Sequence, residues 1–380
     1  MVAQYCATFL KPEMHHIYRQ INALETWRPV VITQKREQAT VFPFPPADLR
    51  VVPKPALHWL RRWWCKQVRD VPILLFPDEA RRLRDTLHAM KARALHVYFG
   101  HIGVHLLPLL RILELPVVVS FHGADAGVDM EKPPHANAMR EVFERARLIL
   151  VRTEAMKQDL AALGCPIEKL RIHRTGIPLD AFPFQPRTIP PDGAWRLLQA
   201  GRLIEKKGYD TTLHAFREIA ASHAKARLTI AGEGPLDEKL RALATELGLR
   251  DKVTFTGFVT QEELRRLLAE AHLFLHPSRT ARDGNREGIP NALLEAMASG
   301  LPVFATRHGG ISEAATDGIE GRLVAEGDHG TLARSVLGAM ENPENLAEMG
   351  ASASARVRRD FESCAQARVL ASYYDTLIQP

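Results

Sequence analysis

Two glutamates stand eight positions apart in the run Glu287-Gly288-Ile289-Pro290-Asn291-Ala292-Leu293-Leu294-Glu295. Pro290 suits the first turn of a helix, where its missing N–H costs nothing, and Gly300 followed by Pro302 suits a helix end. Glu287 then lies in a loop before a helix N-terminus, and Glu295 lies inside the helix. The free N–H groups and dipole of a helix N-terminus attract anions. Carboxylates repel phosphate but accept hydrogen bonds from hydroxyls, so the pair fits a diphosphate with a sugar on one side and a ribose on the other. A second cluster, Gly201-Arg202-Leu203-Ile204-Glu205-Lys206-Lys207-Gly208, offers the cations. Arg202 supplies forked donors for phosphate oxygens, Lys207 a mobile point charge, and the glycines allow close backbone approach. A third, His122-Gly123-Ala124-Asp125, puts an imidazole at a strand end.

These groups must be held by alternating strands and helices, the pattern of parallel sheets wrapped by helices. In the first half we expect strands at Val30–Thr33, Ile73–Phe76, His96–Phe99, Val117–Phe121, Leu148–Arg152 and Lys169–His173, with helices at His15–Leu24, Glu79–Lys91, His135–Arg145 and Ala155–Leu163. In the second half we expect strands at Arg196–Ala200, Arg227–Ala231, Val253–Thr256, Leu273–His276, Pro302–Ala305 and Gly321–Val324. Helices there fit Tyr209–Ala220, Pro235–Leu247, Gln261–Glu270, Asn291–Ser299 and Thr331–Glu341. The proline-rich stretch around Pro183 to Gly193 reads as a linker. The expected organisation is a first domain at 1–180, a linker at 181–194, a second domain at 195–358 and a C-terminal helix within 359–380. Nearly every candidate residue falls at or just after the carboxyl end of a strand, where open parallel sheets bind ligands.

Composition narrows the partners. A length of 380 residues favours two domains, and the 25% charged fraction is that of an ordinary globular protein. No apolar run is long enough to span a bilayer, and no signal-peptide pattern is visible. Cys6, Cys65, Cys165 and Cys364 show no paired spacing, which points away from disulfides and zinc and towards a reducing cytoplasm. The excess positive charge belongs to the first half: 26 Lys and Arg against 18 Asp and Glu in residues 1–180, and 24 against 26 in residues 181–380. A basic surface suggests an anionic partner such as phospholipid headgroups or a lipid diphosphate. Nucleic acid is disfavoured, since the basic half has no recognised binding motif or aromatic stacking series. In Trp59-Leu60-Arg61-Arg62-Trp63-Trp64-Cys65-Lys66-Gln67-Val68-Arg69 the tryptophans share a helical stripe beside the cations. Such a helix suits either a membrane interface or burial in a domain core.

The Glu287–Glu295 segment resembles the glutamate-x7-glutamate motif of the retaining family 4 glycosyltransferases, which have the GT-B fold. Asp283-Gly284, Glu287 to Pro290 and Leu294 to Ala298 resemble the bacterial exopolysaccharide and colanic-acid branch. Arg202 and Lys207 match the family's Gly-Arg-Leu…Lys-Gly element, and His122 to Asp125 its His-Gly-x-Asp element. Gly232-Glu233-Gly234-Pro235 and Thr256-Gly257-Phe258-Val259 are similar to the loops that border the nucleotide base. The resemblance implies two Rossmann-like domains whose parallel sheets face a central cleft, with the C-terminal helix crossing back onto the first. It implies a nucleotide-diphosphate sugar as donor and transfer of a hexose with retention, by attack on the face of departure. Arg202 and Lys207 would neutralise the diphosphate, Glu295 bind the ribose and Glu287 hold the transferred sugar. His122 would line its reactive face, and Asp125 would lie toward a lipid-linked or saccharide acceptor. Gly288, Ile289, Pro290, Asn291, Gly232, Gly234 and Phe258 would border the donor. The cytoplasm, with peripheral contact at the inner membrane face, is the implied place of work.

Two cations and a helix N-terminus can replace a metal beside the leaving group, and no Asp-x-Asp element is obvious, so metal-independent activity without a cofactor is expected. The chain departs from the family in Glu13-Met14-His15-His16, where the exopolysaccharide branch has Ser-Glu-Thr, and this bears on acceptor contacts. A nucleotide-sugar epimerase of the same fold, or an inactive nucleotide-sugar-binding scaffold, are the competing readings.

Overall fold

A computed structural model describes residues 1–11, 14–55, 58–123 and 130–378. The chain divides into two units, Met1–Gly176 with Ser363–Pro380, and Ile177–Glu362. The expected linker 181–194 is thus counted with the second unit. There Phe182 is core and Arg187 is buried. The Arg187 guanidinium donates to the carbonyls of Ala269 (2.8 Å), Ala271 (3.1 Å) and Ser299 (2.9 Å). These are the carbonyl ends of two helices, where a cation meets unpaired acceptors and the negative end of the dipole.

The first unit is a seven-stranded, wholly parallel sheet in the order β3-β2-β1-β4-β5-β6-β7. Its strands are β1 (Val2–Phe9), β2 (Pro29–Arg36), β3 (Leu49–Val51), β4 (Leu95–Tyr98), β5 (Val117–Ser120), β6 (Leu148–Val151) and β7 (Leu170–Ile172). Strands such as Val-Val-Val-Ser and Leu-Ile-Leu-Val are buried throughout, as strands covered by helices on both faces must be. The main helices are α1 (His15–Asn22), α2 (His58–Trp63), α3 (Pro77–Ala89), α4 (Gly100–His105), α5 (Leu107–Leu110), α6 (Pro133–Arg145) and α7 (Glu154–Ala162). Thr153 starts α7 by accepting the Met156 N–H on Oγ1 at 3.0 Å.

The second unit is a six-stranded parallel sheet in the order β10-β9-β8-β11-β12-β13. Its strands are β8 (Arg196–Ala200), β9 (Arg227–Ala231), β10 (Val253–Gly257), β11 (Leu273–His276), β12 (Val303–Thr306) and β13 (Gly321–Val324). Around them lie α8 (Tyr209–Ser222), α9 (Asp237–Glu246), α10 (Gln261–Glu270), α11 (Asn291–Ala298), α12 (Ile311–Ala314), α13 (His329–Met340) and α14 (Pro343–Asp360). Thr260 and Glu263 close a reciprocal cap on α10, with Thr260 N–H on the Glu263 carboxylate at 2.7 Å. α15 (Ser363–Ile378) belongs to the first unit, where Leu370 and Tyr374 pack with Val2, Val118 and Leu150.

Most expected elements form within a few residues of their predicted ends; β3 and the short helices α4, α5 and α12 lie outside the expected set, and four further differences stand out. β1 is a full strand although it was absent from the expected set. Ile73–Phe76 is not a strand: Leu75 N–H bonds the His105 carbonyl at 2.9 Å and His105 Nδ1 meets the Ile73 carbonyl at 2.7 Å, so the segment is tied to α4 and not to a sheet edge. α14 was not expected. The chain breaks at Phe361–Glu362, so the last helix starts at Ser363 instead of Asp360.

Replacing Arg187 by Ala unpairs three buried carbonyls and is expected to cost the second unit about 2–4 kcal/mol of stability, read by urea denaturation. A change under about 0.5 kcal/mol, the range of an ordinary surface substitution, would contradict this role.

Candidate active site

In each sheet the strand order reverses beside its first strand, and at that point the loops diverge and leave a crevice. In the second unit the reversal lies at β8, between β9 and β11. The turn after β8 is held rigidly. Tyr209 OH donates to the Gly201 carbonyl at 2.7 Å, and Gln199 Nε2 donates to the Lys207 carbonyl at 2.8 Å. Gly208 has a left-handed backbone, φ 65°, and a Cβ there would lie 1.8 Å from the Pro277 carbonyl oxygen. Only glycine lets this turn press against the start of the β11 loop.

The β11 loop brings Glu287 to the lysines. Lys207 Nζ lies 2.9 Å from Glu287 Oε2, and Lys206 Nζ lies 3.7 Å from the same oxygen. The loop is fastened along its length: Arg279 N–H bonds the Lys206 carbonyl at 2.9 Å, and the Arg279 guanidinium pairs with Asp210 at 2.8 Å. The Glu287 backbone is held in turn. Its N–H donates to His308 Nε2 at 2.9 Å, and a Cβ on Gly309 would lie 2.0 Å from its carbonyl oxygen. Since His308 Nε2 accepts, its proton belongs on Nδ1, which donates to Glu326 Oε1 at 2.6 Å. Glu326 Oε2 also accepts the Thr280 N–H at 2.8 Å.

The charges are strongly coupled. Burial pushes the Glu287 carboxyl pKa upward, but Lys207 and Lys206 outweigh it and hold it below the usual value. Burial lowers the Lys206 ammonium, with Glu287 opposing. Beneath them His276 is fully buried at the end of β11. Burial and then Lys207 push its pKa down to about 3, so the ring is neutral. Among the described residues neither of its ring nitrogens has a hydrogen-bond partner. Arg202 is exposed, and among the described residues no carboxylate pairs with it. With one carboxylate and three cations this cluster is net positive.

The other expected donor residues surround this cluster. Gly288 faces open space, and Pro290 caps α11, its carbonyl accepting from Leu293 at 3.1 Å and Leu294 at 3.2 Å. Pro290 offers no side-chain cap, and among the described residues no side chain accepts from the Asn291 N–H. Ile289 packs against the core. Glu295 lies just over one turn into α11 and is only 3% exposed. Gly232 and Gly234 serve a contact not foreseen. Added Cβ atoms would meet the Gly201 carbonyl oxygen at 2.0 Å and the Leu203 backbone at 2.6 Å, so these glycines interlock two loops backbone to backbone. Phe258 follows Gly257 (φ 71°) and presents its ring to solvent.

In the first unit the reversal lies at β1, between β2 and β4, and His122 sits past β5 nearby. Its Nδ1 is 3.0 Å from His16 Nε2, its Nε2 is 2.9 Å from Ser120 Oγ, and Arg152 Nη2 lies 3.1 Å from Nδ1. Tyr98 and Phe99 pack on the ring at 5.7 and 4.9 Å. Phe99 holds φ 76°, a costly conformation for a non-glycine residue, immediately before Gly100. A Cβ on Gly100 would strike the Phe121 ring at 2.1 Å. Burial, then Arg152 and His16, push the His122 pKa well below the usual value. Arg152 is itself buried. It donates to the His173 carbonyl at 3.0 Å and to Gln20 Oε1 at 2.9 Å, and Gln20 bonds Tyr98 OH at 3.1 Å. Asp125 and Glu13 lie outside the described residues. Lys206, His276, Glu326, Arg152 and His16 are residues around these clusters that the motif reading did not assign. His276 ends a strand exactly as His122 nearly does, and that signal was visible.

Residues 183–356 match the model of the glycosyl transferases group 1, and residues 11–176 match that of the glycosyl transferase 4-like domain. The chain belongs to the family 4 glycosyltransferases, with the two parallel α/β domains of the GT-B fold. It is 35% identical over 283 residues to the amylovoran biosynthesis glycosyltransferase AmsK of Erwinia amylovora, spanning 74% of this chain and 69% of AmsK. It is 32% identical over 333 residues to the putative colanic acid biosynthesis glycosyltransferase WcaL of Salmonella typhimurium, spanning 85% and 80%. Anabaena Alr3699/HepE, solved in complex with UDP, superposes with a TM-score of 0.76 over 99% of both chains at 18% identity, a likeness of fold.

A depressed carboxyl pKa stabilises the folded state above the unfolded value, near 4.3 for Glu, and this is lost as pH falls through the folded value. In Lys207→Met, burial dominates at Glu287 and its pKa rises. The variant is then expected to be about 2–4 kcal/mol less stable than the parent at neutral pH. Urea denaturation at a series of pH values should show this deficit shrinking as the medium becomes acid. A deficit independent of pH would mean that the ion pair is not its source.

Proposed function

We propose that this protein is a retaining, metal-independent glycosyltransferase acting in the cytoplasm. It moves a hexose from a nucleotide-diphosphate sugar to a hydroxyl of a lipid-linked or polysaccharide acceptor. The observation that carries this reading is the cluster of Glu287 with Lys206 and Lys207, beside the exposed Arg202 and the uncapped N-terminus of α11. A net positive cluster containing one ionised carboxylate suits a ligand with two phosphates and adjoining hydroxyls. HepE was also solved with UDP-glucose, a nucleotide-diphosphate hexose, and AmsK and WcaL are named for polysaccharide biosynthesis.

On this reading the donor diphosphate replaces Glu287 as the partner of Lys207, and Arg202 adds forked donors to the same phosphates. The released Glu287 carboxylate accepts hydrogen bonds from sugar hydroxyls. Glu295 takes the ribose, Phe258 borders the base and the neutral His122 ring lines the reactive face of the transferred sugar. Asp125 lies toward the acceptor. In the transfer step the bond from the anomeric carbon to the phosphate oxygen breaks, and its electron pair leaves with the nucleoside diphosphate. The acceptor oxygen forms the new bond on the same face, and its proton passes to the departing phosphate. Arg202, Lys207 and the helix N-terminus stabilise the charge on that leaving group, the part a divalent metal plays elsewhere.

The test begins with a panel of nucleotide sugars scored by thermal shift, followed by turnover with saccharide and lipid-linked acceptors. Glu287→Ala and Arg202→Ala should each lower turnover by about 100-fold or more; the exposed Arg202 site should leave melting unchanged, whereas Glu287→Ala, which leaves Lys206 and Lys207 without their carboxylate, should melt lower yet remain folded. EDTA should leave the rate unaffected. Near-normal rates in either variant would overturn the roles, loss of activity in EDTA restored by Mg²⁺ would overturn metal independence, and nucleotide release without any acceptor would indicate epimerase chemistry.

A further inference from the structure

We propose that α2 and the π-helical segment that continues it, Trp64–Arg69, form a docking surface for a bilayer of anionic phospholipid. The chain has five tryptophans. Trp27 and Trp195 are buried, whereas Trp59, Trp63 and Trp64 are 58%, 57% and 50% exposed. Leu60 and Val68 are exposed beside them. Trp59 with Trp63, and Leu60 with Trp64, are spaced four apart, so the rings form one stripe along the helix. The core-burial alternative for this helix is thereby corrected: among the described residues these side chains stay exposed. Large apolar side chains seldom cluster on a solvated surface without a partner.

The charges identify that partner. No Asp or Glu occurs between Asp48 and Asp70, a stretch that contains Arg50, Lys54, Arg61, Arg62, Lys66 and Arg69. Asp70, the first acid after it, is engaged by Lys132 at 3.0 Å. Among the described residues no carboxylate pairs with Arg62, Lys66 or Arg69. Arg61 lies 3.8 Å over the ring of Phe76, itself partly exposed, which extends the apolar face. Indole rings with N–H donors, set among unpaired guanidinium and ammonium groups, match the boundary between acyl chains and phosphate headgroups. Negative headgroups add the complementary charge. A second copy of this chain fits poorly, because a two-fold contact through the stripe would set these cations against themselves. The segment from His58 to Arg69 is too short to cross a bilayer and lies flat on its surface. The surface shares no residue with the groups around His122 or with the Glu287 cluster, so the proposal holds whatever the donor is.

The whole protein is mixed with phosphatidylcholine vesicles, with and without about a third phosphatidylglycerol, and sedimented. The anionic vesicles should carry it down at least about tenfold more effectively than the neutral ones, and added salt should weaken this. Tryptophan emission should shift to the blue on binding, since the exposed tryptophans all belong to this segment. Two variants report on it separately: Trp59→Ser with Trp63→Ser and Trp64→Ser, and Arg62→Glu with Lys66→Glu and Arg69→Glu. Each should lose vesicle binding while keeping the parent's melting temperature and its thermal shift with nucleotide sugars. Protein that stays in solution beside anionic vesicles, or tryptophan variants that sediment like the parent, overturns the proposal. So does a lipid-free dimer, seen by light scattering, that the tryptophan variants dissolve.

Discussion

The second unit is organised around a buried carboxylate that stays ionised because two lysines surround it. Burying Glu287 alone would favour its neutral form, and placing Lys206 and Lys207 together would be repulsive. Each charge makes the other two tolerable, and the loops that carry them therefore have little freedom. Such a cluster is also intrinsically responsive: an anion that pairs with the lysines releases the carboxylate for another partner. The proposed donor site is thus an arrangement that must first hold itself together without the donor.

The parallel sheet makes this arrangement possible. At β8 the strand order reverses, so the loops after β8 and β11 leave opposite faces and meet at the carboxyl edge. Gly208 lets the lysine turn touch Pro277, and Gly309 lets the loop after β12 touch Glu287. Glu326, at the end of β13, sets the tautomer of His308, which receives the Glu287 N–H. Four strands therefore contribute to the placement of one side chain. In the first unit, burial and then Arg152 and His16 keep His122 neutral, and Ser120, Arg152 and His16 fix its ring.

The sheets were largely legible, because runs such as Val117–Ser120 are apolar throughout and are bounded by helical periodicity. Ile73–Phe76 misled for the same reason: an apolar run has strand character whether or not a sheet edge is free to receive it. Arg202, Lys207, Glu287 and His122 could be read from local motifs. Their partners could not, since Lys206, Glu326 and Arg152 are ordinary residues until the fold brings them near. Gly232 and Gly234 were legible as close-approach positions, and the backbone of the Gly201–Leu203 turn presses against them. The tryptophan stripe of α2 was ambiguous on principle, since a core helix and an interfacial helix share one periodicity and differ only in what lies opposite.

The central claim is that Glu287 and a ligand diphosphate compete for Lys207, and calorimetric titration with a nucleoside diphosphate tests it most directly. Glu287→Gln removes the competing charge while keeping the shape of the side chain. The account predicts that this variant binds the nucleoside diphosphate as tightly as the parent or up to roughly tenfold more tightly, since a negative charge has gone from beside the phosphates. Binding weakened about tenfold or more would contradict it, and would mean that the carboxylate supports the diphosphate instead of competing with it.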